Sequence, residues 1–123
     1  MNPVKKMLIV DDEVSNRELL EIVFENDFQL MQVESGESAL EVIPEFMPDI
    51  ILLDVMMAGI DGYEVCKRIR DNYDHASMVV VMISARALES ERQKGFDAGA
   101  NDYVTKPFSI VEIKQKITEI LES

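Results

Sequence analysis

Short apolar runs punctuate the chain, separated by longer stretches in which apolar residues recur every three or four positions. Met7-Leu8-Ile9-Val10, Leu30 to Val33, Ile50-Ile51-Leu52-Leu53, Met78 to Ile83 and Asp102-Tyr103-Val104-Thr105 have the length of strands, with Gln32 interrupting the second. The third, held between Asp49 and Asp54, is continuous and rich in branched side chains, which predicts a strand buried on both faces. The intervening stretches predict helices. Ser15 and Glu18 have the spacing of a capping box before Leu19, Leu20, Ile22, Val23 and Phe24. Ser35-Gly36-Glu37-Ser38 opens a second helix through Ala39, Leu40, Val42 and Ile43, which Pro44 should end or kink by removing an amide donor. Gly62 to Arg70 is the third, with Tyr63, Val65 and Ile69 on its apolar side. Ala85 to Ala98 is the fourth, closed by Gly99 and mostly polar apart from Leu88 and Phe96. Ser109 with Glu112 opens the last, which aligns Ile110, Ile113, Ile117 and Ile120.

Strand and helix alternate throughout with short connections. That alternation predicts one α/β domain over residues 1–123, a five-stranded parallel sheet with helices on both faces and right-handed crossovers. The length of 123 residues and an apolar fraction of 47% suit a single folded domain. No apolar run approaches the ~20 residues needed to span a bilayer. Met1-Asn2-Pro3-Val4-Lys5-Lys6 leads straight into the first strand, without the apolar stretch of a signal peptide. Cys66, the single cysteine, has no partner for an internal disulfide, so a cytoplasmic location is expected. A formal charge of −12 argues against direct nucleic-acid binding, and no Gly-rich loop follows a strand to cradle a nucleotide.

Candidate chemistry lies at the strand ends. In an open parallel sheet the carboxyl ends of the strands share one edge, where ligands bind. Strand one delivers Asp11 and Asp12 there, strand three Asp54, strand four Ser84 and strand five Lys106. A lone aspartate after a strand is as readily a loop or helix cap; its company here changes that reading. Three crowded carboxylates repel one another unless a cation offsets them, and a hard divalent ion, Mg²⁺ above all, suits oxygen ligands. With Lys106 as a point charge and Ser84 as a hydroxyl donor, the set could stabilise a transferring phosphoryl group, with Asp54 as its nucleophilic acceptor.

Four motifs in order, Val10-Asp11-Asp12, Leu53-Asp54-Val55-Met56-Met57, Ile83-Ser84-Ala85 and Thr105-Lys106-Pro107-Phe108, carry a resemblance. From about Lys5 to the C-terminus the chain resembles the CheY-like response-regulator receiver domain, the phosphoacceptor module of two-component signalling. The resemblance implies a flavodoxin-like sheet of order 2-1-3-4-5. It also implies phosphorylation of Asp54 and Mg²⁺ held by Asp11, Asp12, Asp54 and the backbone carbonyl of Met56. Ser84 would turn its hydroxyl toward the phosphoryl group, Tyr103 would move inward as the aromatic switch, and Lys106 would contact the phosphoryl group, its bond to Pro107 usually cis in the family. Such a domain catalyses its own phosphorylation and dephosphorylation and is not an enzyme acting on a separate substrate. Its expected partners are a sensor histidine kinase or histidine phosphotransfer protein and a downstream effector, with a homodimer formed through helix four, strand five and helix five. Ala58 stands where the family commonly has proline, and Ser84 where threonine is commoner; Met56 and Arg86 flank the site. A hydrolase working through an aspartyl phosphate would place a second acid where Met56 stands. His75 reads as a loop residue and the eight methionines as core filler.

Overall fold

The computed structural model describes residues 4–122. Met1, Asn2 and Pro3, expected to lead into the first strand, lie outside the described residues. The elements are β1 (Lys5–Val10), α1 (Val14–Phe24), β2 (Phe28–Val33), α2 (Gly36–Phe46), β3 (Ile50–Asp54), α3 (Gly62–Arg70), β4 (Val79–Ser84), α4 (Glu89–Ala98), β5 (Asp102–Thr105) and α5 (Ile110–Glu122). All five strands are parallel, in the order β2-β1-β3-β4-β5. This is the flavodoxin-like architecture that the resemblance implies.

The central strands are buried on both sides, and their alternation divides the interior into two cores. Met7 and Ile9 of β1, Ile50 and Leu52 of β3, and Val81 and Ile83 of β4 pack with Leu20, Val23 and Phe24 of α1 and Ile113 and Ile117 of α5. The alternate residues, among them Leu8, Val10, Ile51, Leu53, Val80 and Met82, face α2, α3 and α4. Side chains that alternate across a strand must find a covering layer on each face, which is why both layers are needed. β3, the middle strand, is buried at every position, so Asp54 emerges from the most enclosed part of the sheet.

Several local expectations are corrected. Ser15 lies inside α1, whose N-cap is Glu13 with no side-chain capping bond, so the predicted box does not form. Only Leu20, Val23 and Phe24 of α1 are buried, while Ile22 is 67% exposed and Leu19 partly so, because one helical stripe faces the sheet. α2 runs through Pro44 to Phe46, since Ile43 and Phe46 are anchored in the core and Met47, in the left-handed region at φ 49°, caps the end. α4 begins at Glu89, not at Ala85, leaving residues 85–88 as a non-helical approach with Leu88 70% exposed. Ile110 is exposed, so the buried face of α5 starts at Ile113.

Candidate functional site

Local chemistry places each side chain before any long-range contact does. Val10 is the last residue of β1, and the Asp11 amide continues the ladder by donating to the Val33 carbonyl of β2 at 3.2 Å. Asp54 closes β3, and its Oδ1 accepts the Met56 amide at 3.3 Å across the first bend of the following loop. That loop returns into α3, where the Asp61 side chain caps the Glu64 amide at 3.0 Å. Gly62 is required here: a Cβ at this position would stand 2.6 Å from the Asp54 carbonyl oxygen. The start of α3 therefore rests directly on the backbone of the central strand's last residue.

Register brings the ends together. One carboxylate oxygen from each of Asp11, Asp12 and Asp54 lies within 4.8 Å of the others. Lys106, the residue after β5, reaches back so that its Nζ is 3.5 Å from Asp11 Oδ2 and 3.6 Å from Asp54 Oδ1. Its amide donates to the Ser84 carbonyl at 2.8 Å, which ties the ends of β4 and β5. The Lys106–Pro107 peptide is cis, in agreement with the expectation. Asp11 is 3% and Asp54 5% exposed, while Asp12 faces solvent. Burial, followed by the neighbouring Asp11 charge, pushes the Asp54 carboxyl from 3.8 up to about 6, and Lys106 only partly opposes them. One lysine does not balance this much negative charge. Hard oxygen donors in excess of the local cation fit a divalent ion such as Mg²⁺.

Ser84 and Tyr103 belong to an adjoining network that runs through Arg86. The Arg86 amide donates to Ser84 Oγ at 3.1 Å, and the Arg86 carbonyl accepts the Tyr103 hydroxyl at 2.9 Å. Tyr103 is buried, with its ring turned toward the sheet and α4. The Arg86 guanidinium lies 3.4 Å from the Glu91 carboxylate, which also accepts the Tyr63 hydroxyl at 2.8 Å. The hydroxyl partner of Tyr63 is not readable from the sequence, where the residue is only an apolar helix position. Nor does the sequence signal the contact of Arg17, whose Nη1 donates to the Asp11 carbonyl at 2.7 Å. Met56 sits in the loop after Asp54 with a half-exposed side chain.

Fold and site together define a parallel α/β domain that gathers carboxylates and a lysine at the carboxyl edge of its sheet. The chain belongs to the response regulator receiver domain family, whose model matches residues 7–118. It is 39% identical over 118 residues to ycf27 of Guillardia theta, described as a probable transcriptional regulator, covering 95% of this chain and 45% of that protein. It is 38% identical over 117 residues to the transcriptional regulatory protein ResD of Bacillus subtilis, covering 94% of this chain and 48% of that one. The chain thus spans about half the length of these curated relatives. The BeF3-activated DrrB receiver domain superposes with a TM-score of 0.89 at 27% identity, covering 98% of this chain and 100% of that one. Among the described residues no helix is long and apolar enough to cross a membrane.

Proposed function

We propose that residues 1–123 form one receiver domain that works as a phosphorylation-controlled switch in the cytoplasm, with Asp54 as the acceptor. The observation that carries this reading is the Lys106 ammonium within 3.6 Å of both the Asp11 and the Asp54 carboxylates, in a cluster that Asp12 completes. An Asp54 carboxylate oxygen attacks the phosphorus of a phosphohistidine on a sensor kinase or histidine phosphotransfer protein. The O–P bond forms as the P–N bond breaks, and its electron pair returns to the imidazole. Mg²⁺, held by Asp11, Asp12, Asp54 and the Met56 carbonyl, would supply positive charge for the phosphoryl oxygens. Lys106 adds a second positive charge on the side of Asp54 Oδ1. The product is an acyl phosphate, which water hydrolyses to restore the carboxylate, so the domain turns itself on and off without acting on a separate substrate.

The switch follows from the network around Ser84. A phosphoryl group on Asp54 brings charge and acceptor oxygens to the strand ends. Turning the Ser84 hydroxyl toward that group breaks the bond it accepts from the Arg86 amide. Residues 85–88 are free of helix, and the Tyr103 hydroxyl is held by the Arg86 carbonyl, so movement there passes to α4 and β5. The surface of α4, β5 and α5 is proposed as the face read by a downstream effector or by a second copy in a homodimer.

Intact mass after incubation with acetyl phosphate and Mg²⁺ tests the reading. One added phosphoryl group is expected, absent in Asp54→Ala and in EDTA. No adduct from any donor, with Mg²⁺ shown to bind, overturns it in favour of a domain that binds partners without being phosphorylated.

A further inference from the structure

The start of α1 is built differently from those of α2, α3 and α5. In these three, Ser35, Asp61 and Ser109 accept the amides of Ser38, Glu64 and Glu112. Ahead of α1, the Glu13 amide instead donates to Asp11 Oδ1 at 2.9 Å. Arg17, in the first turns of the helix and half-buried, directs Nη1 to the Asp11 backbone carbonyl at 2.7 Å. It does so although Asp12, Glu13 and Glu18 are all close by in sequence and would offer it a full negative charge. A charge-assisted bond is stronger than a neutral one, so it holds the peptide that carries the accepting carbonyl firmly in place.

The result is that Asp11 is held at every polar atom. Its amide donates to Val33 of β2 at 3.2 Å, its carbonyl accepts from Arg17, its Oδ1 from Glu13, and its Oδ2 faces Lys106 at 3.5 Å. Rotation of the peptide plane after Asp11 would swing Asp12 as well, because the two acids share that peptide. We propose that Arg17 is a positioning residue for the cation site: it fixes the Asp11–Asp12 peptide so that both carboxylates meet Asp54. This rests on the phosphoacceptor reading, in which that site takes Mg²⁺. Groups that orient metal ligands without touching the metal typically change its affinity by about 10–100-fold when removed.

The test is Mg²⁺ titration of the unphosphorylated chain by calorimetry, in the parent, Arg17→Met and Arg17→Lys. Arg17→Met keeps the aliphatic stem and loses the donor, and its Kd is expected to rise by about tenfold. Arg17→Lys keeps the charge and one donor group, and its Kd should fall between the two. In acetyl phosphate reactions the Mg²⁺ concentration giving half-maximal rate should rise by the same factor, with the rate at saturating Mg²⁺ nearly unchanged. A lower melting temperature with Mg²⁺ affinity unchanged in Arg17→Met means that Arg17 only fastens the helix, and overturns the proposal. If Arg17→Met does not fold, Arg17→Lys decides: several-fold weaker binding supports the role, and parental affinity overturns it. Failure of the parent itself to bind Mg²⁺ overturns the phosphoacceptor reading, an outcome distinct from equal binding by parent and variants.

Discussion

Asp54 is buried, faces Asp11, and holds its proton up to about pH 6 where an ordinary aspartate releases it near 3.8. Between those values the folded chain binds more protons than the unfolded one, so stability falls as pH rises through the window and stays reduced above it. In divalent-free buffer Asp54→Asn is therefore expected to be more stable than the parent by about 1–3 kcal/mol near neutral pH. The advantage should fade below about pH 4, where the carboxyl is protonated in both states. Urea denaturation at the two pH values checks this, and an equal difference at both would show that the carboxylate is not the source. At this scale the placement of Asp11, Asp12, Asp54, Ser84 and Lys106 at the strand ends is legible, because each lies within two residues of the end of a strand-length run. The roles of Gly62 and Arg17 are not, since they depend on which backbone passes beside them.

Between elements, Arg70 does work that helical periodicity conceals. At the end of α3 its guanidinium donates to the carbonyls of Gly99 at 2.8 Å and Met78 at 2.7 Å, and to Asn101 Oδ1 at 2.7 Å. Asn101 Oδ1 in turn accepts the Val80 amide at 2.9 Å, so one side chain joins the end of α3, the approach to β4 and the turn between α4 and β5. Arg70→Met leaves these partly buried acceptors short of donors and is expected to destabilise the fold by about 2–4 kcal/mol, measured by chemical denaturation. As Arg70 touches no site residue, phosphorylation of Asp54 should survive in whatever fraction remains folded. Gly99, at φ 111°, ends α4 where the Arg70 side chain crosses it. The predicted helix from Ala85 was too long for a related reason. The Arg86 amide goes to Ser84 Oγ and its carbonyl to Tyr103, leaving the backbone there committed to the site.

At the scale of the molecule, the two cores hold five strand ends in register, and the cost of that register is a cluster of like charges. A cation bound only by the folded chain should return stability: Mg²⁺ at about ten times its Kd adds roughly 1.4 kcal/mol. The melting temperature should rise by several degrees and fall back with EDTA, with a much smaller rise in Asp54→Asn; no rise in the parent would count against a built cation site. The sequence by itself determined the alternation of strands and helices, the buried character of β3 and the acids and lysine carried to the strand ends. These follow from local chain chemistry, because an apolar run of strand length and the polar residue ending it are neighbours in sequence. The order 2-1-3-4-5 came from the resemblance and is borne out by the sheet. Only the tertiary structure decided which stripe of α1 turns inward, that α2 continues past Pro44, where α4 begins, and that Arg17 and Arg70 spend their charge on carbonyls. Each of these is settled by a competition between local preference and contacts made with distant or facing backbone. Periodicity has no access to the outcome of that competition, which depends on distances that exist only once the layers have packed.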